Sequence, residues 1–136
     1  MAIAFLSQGR HEEATQYLQY LLHRHPRNPS GLSLLGDIAY DRGDLEKAEA
    51  MYREALALSP SLHGVCNNLA WLLLRSGRPE EAKGYAMQAT AFAPQNASYY
   101  DTLAKILEEL GDQQAADSAA DKARELLALE SPEAEK

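Results

Sequence analysis

Small and apolar side chains recur along the chain with a short period and a long one. The short period is three or four residues, and it is clearest in the stripe formed by Cys66, Leu69, Ala70 and Leu73. This spacing places the four side chains on one face of a helix. The long period is 34 residues, and it is kept by Ala14, Ala48, Ala82 and Ala116. A fixed period of this length is typical of stacked repeats rather than of a single globular core.

Glycines and prolines repeat in phase with the alanines and divide each repeat into two predicted helices. The glycines are Gly9, Gly43, Gly77 and Gly111, and the prolines are Pro26, Pro60 and Pro94. A glycine can adopt the left-handed conformation that ends a helix, whereas a proline stops a helix from continuing. The first helices are predicted over roughly 30–42, 63–76 and 97–110, and the second helices over roughly 45–58, 79–92 and 113–129. A short helix near 2–8 and a full helix near 11–24 precede them.

Polar residues at the predicted helix starts agree with this division. Asn28, Asp44, Asn96 and Asp112 are predicted N-caps, because their side chains can accept a hydrogen bond from a backbone N–H that has no partner in the helix. Pro79 is predicted to take the first position of its helix, where the missing N–H costs nothing.

The same positions resemble the tetratricopeptide repeat, whose pattern is W-x2-L-G-x2-Y, then A-x3-F, then P. In 29–62 the matching residues are Leu32, Leu35, Gly36, Ala39, Ala48, Tyr52, Ala55 and Pro60. In 63–96 they are Cys66, Leu69, Ala70, Leu73, Ala82, Ala86, Ala89 and Pro94. In 97–130 they are Tyr100, Leu103, Ala104, Leu107, Ala116, Ala120 and Ala123. No repeat has the Trp of the first helix, and the last repeat has Ala128 where the proline belongs.

The resemblance implies an all-α fold, a right-handed superhelical α-solenoid of antiparallel helix pairs. It also implies a division into a partial repeat with a truncated first helix (1–28), three complete repeats (29–62, 63–96 and 97–130) and an acidic tail (131–136). Because the first repeat lacks most of its first helix, we expect either a shortened form of a longer protein or another chain that covers this end.

Small residues are predicted where the two helices of a repeat meet. They are Gly36, Ala70 and Ala104 in the first helices and Ala48, Ala82 and Ala116 in the second helices. Ala86 and Ala120 stand where Tyr52 supplies the large aromatic side chain of the pattern. We therefore expect the last two repeats to pack with less side-chain volume.

Composition and charge argue against several classes of function. The chain has 13 Lys and Arg against 20 Asp and Glu, a formal net charge of −7, so we expect no nucleic-acid binding, which needs a basic face. No apolar run is long enough to cross a bilayer, so no direct membrane insertion is expected. His23 and His25 do not face each other on a helix, and no other ligands complete a metal site. With no nucleophile beside a base and no cofactor motif, we predict that the protein is not an enzyme and binds no cofactor.

The sharpest candidate for a binding residue is Trp71. A residue turns roughly 100° around a helix, so Trp71 lies about 150° from the centre of the stripe that contains Leu69 and Ala70. The resemblance implies that this outer side of the first helices lines a concave groove. We predict that the groove residues are Asp37, Tyr40, Asp41, Asn67, Asn68, Trp71, Arg75, Asp101 and Lys105.

Several of these residues also have a purely structural interpretation. Trp71 could lie across the neighbouring helices and cover the stem of Lys105 or Arg75, and Arg75 could form exposed ion pairs of little energetic worth. Asn68 stands where peptide-binding members of the family carry an asparagine that bonds the ligand backbone, but the neighbouring repeats have no asparagine there. Of the carboxylate clamp that binds chaperone C-termini, only Asn68 is present, so such partners are not expected.

The sequence therefore predicts a protein-interaction module or scaffold that binds a peptide or helix of a partner protein. The alternative is a structural spacer or self-assembling scaffold without a dedicated peptide ligand, which would form a homo-oligomer through its uncapped N-terminal end. The stretches NNLAWLLLRSG and APQNASYYDTLAKIL resemble C-terminal repeats of bacterial tetratricopeptide proteins, many of which serve in envelope assembly and exopolysaccharide export. This resemblance favours a bacterial source and the cell envelope or periplasm, while the cytoplasm stays open and the partner is not identified.

Overall fold

The computed structural model describes residues 2–130, and these residues form eight α-helices and no strand. The helices are α1 (Ala2–Ser7), α2 (His11–Arg24), α3 (Pro29–Asp41), α4 (Leu45–Leu58), α5 (His63–Arg75), α6 (Pro79–Phe92), α7 (Ala97–Glu109) and α8 (Gln113–Glu130). Each helix begins and ends within one residue of its predicted bounds, so the all-α prediction is confirmed. The predicted acidic tail, 131–136, lies outside the described residues.

Two compact units divide the chain near the start of α5, one ending at Val65 and the other beginning at Cys66. In the first unit, α1 packs against α2, α2 against α3, and α3 against α4. The core of this unit includes Ala14, Leu18 and Leu35. In the second unit, α6 packs against α7 and α7 against α8. One cluster of its core contains Ala104, Leu107, Ala116 and Ala119.

Local sequence signals set the ends of the helices as predicted. Gly9, Gly43, Gly77 and Gly111 have φ angles of 71°, 81°, 74° and 80°, the left-handed region that glycine enters without a steric penalty. Four helices are capped at their N-terminus by a side-chain oxygen, which accepts a hydrogen bond from the backbone N–H three residues later. These bonds join Asn28 to Gly31 (2.9 Å), Asp44 to Lys47 (3.2 Å), Asn96 to Tyr99 (3.3 Å) and Asp112 to Ala115 (3.1 Å). The four predicted N-caps are therefore confirmed.

The prolines also act as predicted. Helices α2, α4 and α6 each end two residues before a proline. The residue that intervenes lies outside the helical region, with a φ of −133° at His25, −143° at Ser59 and −131° at Ala93. This conformation follows because the ring of a proline crowds the residue before it and disfavours the helical region there. Pro79 begins α6, where no N–H is needed.

The first helices bury a second face that the sequence prediction did not include. Ile38, Leu72 and Ile106 occupy the same place in successive repeats, and all three are buried. In the first unit, Ile38 belongs to the same cluster as Ala14 and Leu18 of α2. Helix α3 therefore packs against the preceding helix as well as against its own partner, α4. The recurrence of an aliphatic residue every 34 positions was the signal that could have revealed this face.

Helix α3 comes very close to a side chain of α4 at Gly36. A Cβ atom at this position would lie 2.6 Å from Cε1 and 2.7 Å from Cδ1 of Tyr52. The Tyr52 ring is fully buried, and its hydroxyl donates a 2.5 Å hydrogen bond to Oδ1 of Asp37. The ring cannot move aside without straining this bond, so a side chain at position 36 is accommodated only at a cost in stability. In the second unit, the equivalents of Gly36 and Tyr52 are both small, and Ala70 and Ala86 are fully buried.

The environment of Tyr52 also shifts the pKa of its hydroxyl. Burial raises the pKa of the Tyr52 hydroxyl well above its ordinary value, because the phenolate would lose its hydration. The hydrogen bond to Asp37 and the negative charge of that carboxylate raise the pKa further. Tyr52 therefore stays a neutral hydrogen-bond donor at neutral pH.

We predict that Gly36→Ala lowers the free energy of unfolding by about 1 to 2 kcal/mol, since overpacking outweighs the gain in helix propensity. Gly84→Ala is the matched control, because Gly84 also lies inside a helix but a Cβ there meets nothing within 4 Å. The control should gain about 0.5 to 1 kcal/mol from propensity alone. Urea denaturation of the two variants measures the difference. Equal stability of both variants would contradict the close approach at Gly36.

We also predict that Tyr52→Phe costs about 1 to 3 kcal/mol at neutral pH, because it removes the buried hydroxyl that donates to the Asp37 carboxylate. The substitution should also flatten the loss of stability at alkaline pH. In the unfolded chain Tyr52 titrates at a pKa of about 10, whereas the folded chain keeps the proton to higher pH. The contribution of this group is therefore fully present below the unfolded pKa and falls as the pH rises above it.

Denaturation of the parent chain and of Tyr52→Phe from about pH 8 to about pH 11, a range that spans the unfolded pKa, measures this effect. The curve of the parent chain should be the steeper. Tyr20→Phe is the control for the substitution itself, since it removes the hydroxyl of an exposed tyrosine of α2. If the slopes of the parent chain and of Tyr52→Phe coincide, folding does not raise the pKa of the Tyr52 hydroxyl.

Candidate binding surface

Trp71 lies on α5 with its indole partly buried, and Lys105 of α7 covers part of it. The Nζ atom of Lys105 is 5.2 Å from the centroid of the Trp71 rings, within the range of a cation–π contact. The same ammonium lies 3.5 Å from Oδ2 of Asp101, one helical turn earlier on α7. The structure thus brings together three of the predicted groove residues. Such a contact is worth about 0.5 to 1 kcal/mol at an exposed site, enough to orient the indole but not to hold the repeat together.

The two asparagines of α5 differ in their surroundings. Asn67 is only 9% exposed, and among the described residues no donor bonds its buried Oδ1 atom. This differs from the expectation that Asn67 shares the open side of Trp71. Asn68 is partly buried, and it has an interaction partner within the chain. Arg75 is exposed in the last turn of α5, where a basic side chain complements the negative end of the helix dipole.

The predicted groove residues of α3 belong to the first unit. Asp37 accepts the hydrogen bond from Tyr52 and so links α3 to α4. Tyr40 is partly buried, whereas Asp41 is exposed at the last position of the helix. The internal role of Asp37 was not expected from its place on the outer side of α3, because only the length of the Tyr52 side chain lets the hydroxyl reach it.

The described residues offer no other chemical site to set beside this surface. The Cys66 thiol is fully buried, with Sγ 3.9 Å from Oε1 of Gln88, and burial raises its pKa. A thiol with a raised pKa is less often a thiolate and is therefore a poorer nucleophile. Within residues 2–130, no group of three or more His, Cys, Asp or Glu side chains is placed to hold a metal ion. In the same range, no helix has the length and apolar character needed to cross a bilayer.

Known proteins share both the sequence pattern and the fold. Human tetratricopeptide repeat protein 7B is 29% identical over 115 residues, which cover 85% of this chain and 14% of that protein. The TPR repeat-containing thioredoxin TTL4 of Arabidopsis thaliana is 34% identical over 77 residues, which cover 57% of this chain and 11% of that protein. The chain therefore spans only a small part of the length of these relatives.

Among solved structures, a crystal structure of MamA superposes with a TM-score of 0.88 at 15% identity, over 96% of this chain and 77% of that one. At this identity the likeness concerns the fold alone, and a bacterial source stays a prediction. Family models of the tetratricopeptide repeat match residues 1–63 and 39–106, and the second match covers half of the chain. With its eight described helices and its repeated Gly, Ala and Pro positions, the chain belongs to the tetratricopeptide-repeat family.

Proposed function

We propose that this tetratricopeptide-repeat scaffold binds a peptide or helix of a partner protein through the surface of α5 and α7 that carries Trp71 and Lys105. The observation that carries the proposal is the partly exposed indole held under the ammonium of Lys105. Trp is among the residues that dominate the energy of protein interfaces, because its large rigid ring buries much area at little entropic cost. Trp71 is the only Trp of the chain.

The packing interpretation of Trp71 explains less of the observed geometry. If the indole served only to cover the Lys105 stem, an aliphatic side chain would fill the same role. An aromatic face presented on a rigid helix also offers a flat apolar platform that needs no rearrangement before a partner binds. The contact with Lys105 fixes the orientation of this platform in advance.

The surrounding polar groups favour a particular kind of ligand. Lys105 can exchange its exposed ion pair with Asp101 for a carboxylate of the partner at little cost, because such exposed pairs contribute about 0 to 1 kcal/mol. Arg75 lies one turn beyond Trp71 on α5 and can receive a second carboxylate. We therefore expect a segment with an apolar or aromatic anchor next to acidic residues. Asn68 stays a proposed contact to the main chain of the ligand.

The remaining predicted groove residues have weaker support. Asn67 is too buried for its oxygen to meet a ligand directly, and Asp37 already accepts the Tyr52 hydroxyl. Tyr40 and Asp41 on α3 stay predictions for the first unit. The proposed surface is therefore centred on Trp71, with Lys105, Asp101, Arg75 and Asn68 around it.

Selection of random peptides on the full chain tests the proposal. We predict that peptides enriched on the parent chain bind Trp71→Ala at least about tenfold more weakly, as expected for the loss of a hot-spot side chain. Phe92→Ala is the matched control, because Phe92 is an aromatic residue of α6 that is 49% exposed and lies outside the proposed surface. Binding to the control should be unchanged.

The single indole supplies a second readout. Because Trp71 is the only Trp, its fluorescence spectrum should shift to shorter wavelength when an enriched peptide covers it. Peptides that bind Trp71→Ala as tightly as the parent chain, with no change in fluorescence, would place the binding surface elsewhere.

One observation favours the alternative of a self-assembling scaffold. Ile3 of α1 is 70% exposed, an apolar side chain that a second copy could cover. On this hypothesis the mass measured by light scattering rises with concentration, and Ile3→Glu returns it to the monomer value. A mass that equals 15.0 kDa at every concentration would reject the alternative and leave the peptide-binding proposal standing.

A further inference from the structure

A groove runs between the start of α7 and the C-terminal half of α8 in the second unit. It consists of two adjoining depressions of about 490 and 360 Å³ that share Ala97, Ser98 and Leu127. Ala120 and Ala123 of α8 continue its floor, while Asp101, Arg124 and Glu130 lie at its edges. Leu127 lines both depressions and is 54% exposed. We call this surface the α7–α8 groove.

The α7–α8 groove repeats a surface that is covered one period earlier. The equivalents of Ala120, Ala123 and Arg124 are Ala86, Ala89 and Thr90 of α6. All three of these α6 residues are buried, and α7 packs against α6. In the α7–α8 groove, by contrast, Ala120 is only partly buried and Arg124 is exposed. Among the described residues, the same surface is therefore an interface in one repeat and only partly covered in the next, where Ala123 alone of the three stays buried.

The residues of α7 show what kind of element covers such a surface. Tyr99, Thr102 and Ile106 are buried, and their spacing of three and four residues places them on one face of the helix. The opposite side of α7 carries Asp101 and Lys105 in contact with solvent. An amphipathic helix with an aromatic and aliphatic stripe therefore fits the α7–α8 groove by the same packing.

Charge decides which helix of this kind is favoured. The segment 97–130 has eight Asp and Glu against three Lys and Arg. All three basic side chains, Lys105, Lys122 and Arg124, already pair with acidic neighbours, namely Asp101, Glu125 and Asp121. The surroundings of the groove are therefore acidic and attract a basic helix. A second copy of this chain has a net charge of −7 and would be repelled.

We propose that the α7–α8 groove is a docking site for an amphipathic helix of a partner protein, with an aromatic and aliphatic stripe and basic residues along its edges. The helix lies where α7 lies on the preceding repeat, with its stripe against Ala97, Ala120 and Leu127. Its basic residues face Asp101 and Glu130. This site adjoins the surface around Trp71 and shares Asp101 with it, but Trp71 does not line the groove.

Two peptides based on α7 test the proposal. Both have the sequence of 97–109 with blocked ends and a fluorescent label, and one also has Asp101→Lys, Glu108→Lys and Glu109→Lys. Fluorescence anisotropy should show that the basic peptide binds the full chain with a Kd on the order of 100 µM, since a helix this short must order as it binds. The acidic peptide should bind at least about tenfold more weakly at low salt, and the difference should shrink as salt screens the charges.

Two leucines of α8 provide a matched pair of variants. Leu127→Glu should weaken binding of the basic peptide at least about tenfold, because it places a charge on the apolar floor of the groove. Leu129→Glu should have no effect, since Leu129 is 68% exposed and does not line the groove. Because both side chains are exposed, both variants should melt like the parent chain. Trp71→Ala should also leave this binding unchanged, which separates this proposal from the one above.

Three outcomes would overturn the proposal. The first is an absence of binding by the basic peptide up to about 1 mM, some tenfold above the expected Kd. The second is equal weakening by Leu127→Glu and Leu129→Glu, which would show that the loss of binding does not depend on the floor of the groove. The third is a concentration-dependent dimer of the parent chain that Leu127→Glu dissociates, which would assign the groove to a second copy of this chain.

Discussion

The structure depends on one constraint: paired helices approach each other closely where the facing residues are small. In the first unit, Gly36 leaves room for the Tyr52 ring, and the Tyr52 hydroxyl then reaches Asp37 on the facing helix. In the second unit, alanines take both places, and Ala70 and Ala86 are fully buried. Both arrangements bury the facing sides of the paired helices and leave little empty space between them. A single added methyl group is therefore felt, as it is in any densely packed interior.

Because each helix pair is bound tightly, the outer positions of the repeats are free to vary, and their surroundings depend on what lies next to them. Asn67 and Asp101 occupy the same place in successive repeats, yet Asn67 is buried and Asp101 is exposed. The pair formed by Trp71 and Lys105 arises in the same way, since these residues also stand one period apart and meet across α5 and α7. A repeat fold thus places different side chains at equivalent positions without changing its backbone.

The sequence allowed the helices and their ends to be predicted almost completely, because the signals are local. The left-handed glycines, the Asn and Asp caps and the prolines each act within a few residues of the chain. The contact between Trp71 and Lys105 was among the sequence hypotheses because the 34-residue register brings the two side chains onto adjacent first helices. The hydrogen bond from Tyr52 to Asp37 was not predictable in this way. This hydrogen bond depends on how far the buried Tyr52 ring extends between the two helices. A repeat pattern gives no information about that distance.

The close approach of α3 and α4 can be measured most directly by nuclear Overhauser effects in solution. A Cβ atom at Gly36 would lie 2.6 Å from Cε1 of Tyr52, and one Hα atom of Gly36 points in that direction. Strong cross-peaks are therefore expected between the Gly36 Hα protons and the ring protons of Tyr52, with an upfield shift of one Hα by the ring current. If these cross-peaks are absent while the helices are intact, the two helices are not in contact at Gly36, and the packing described here is contradicted.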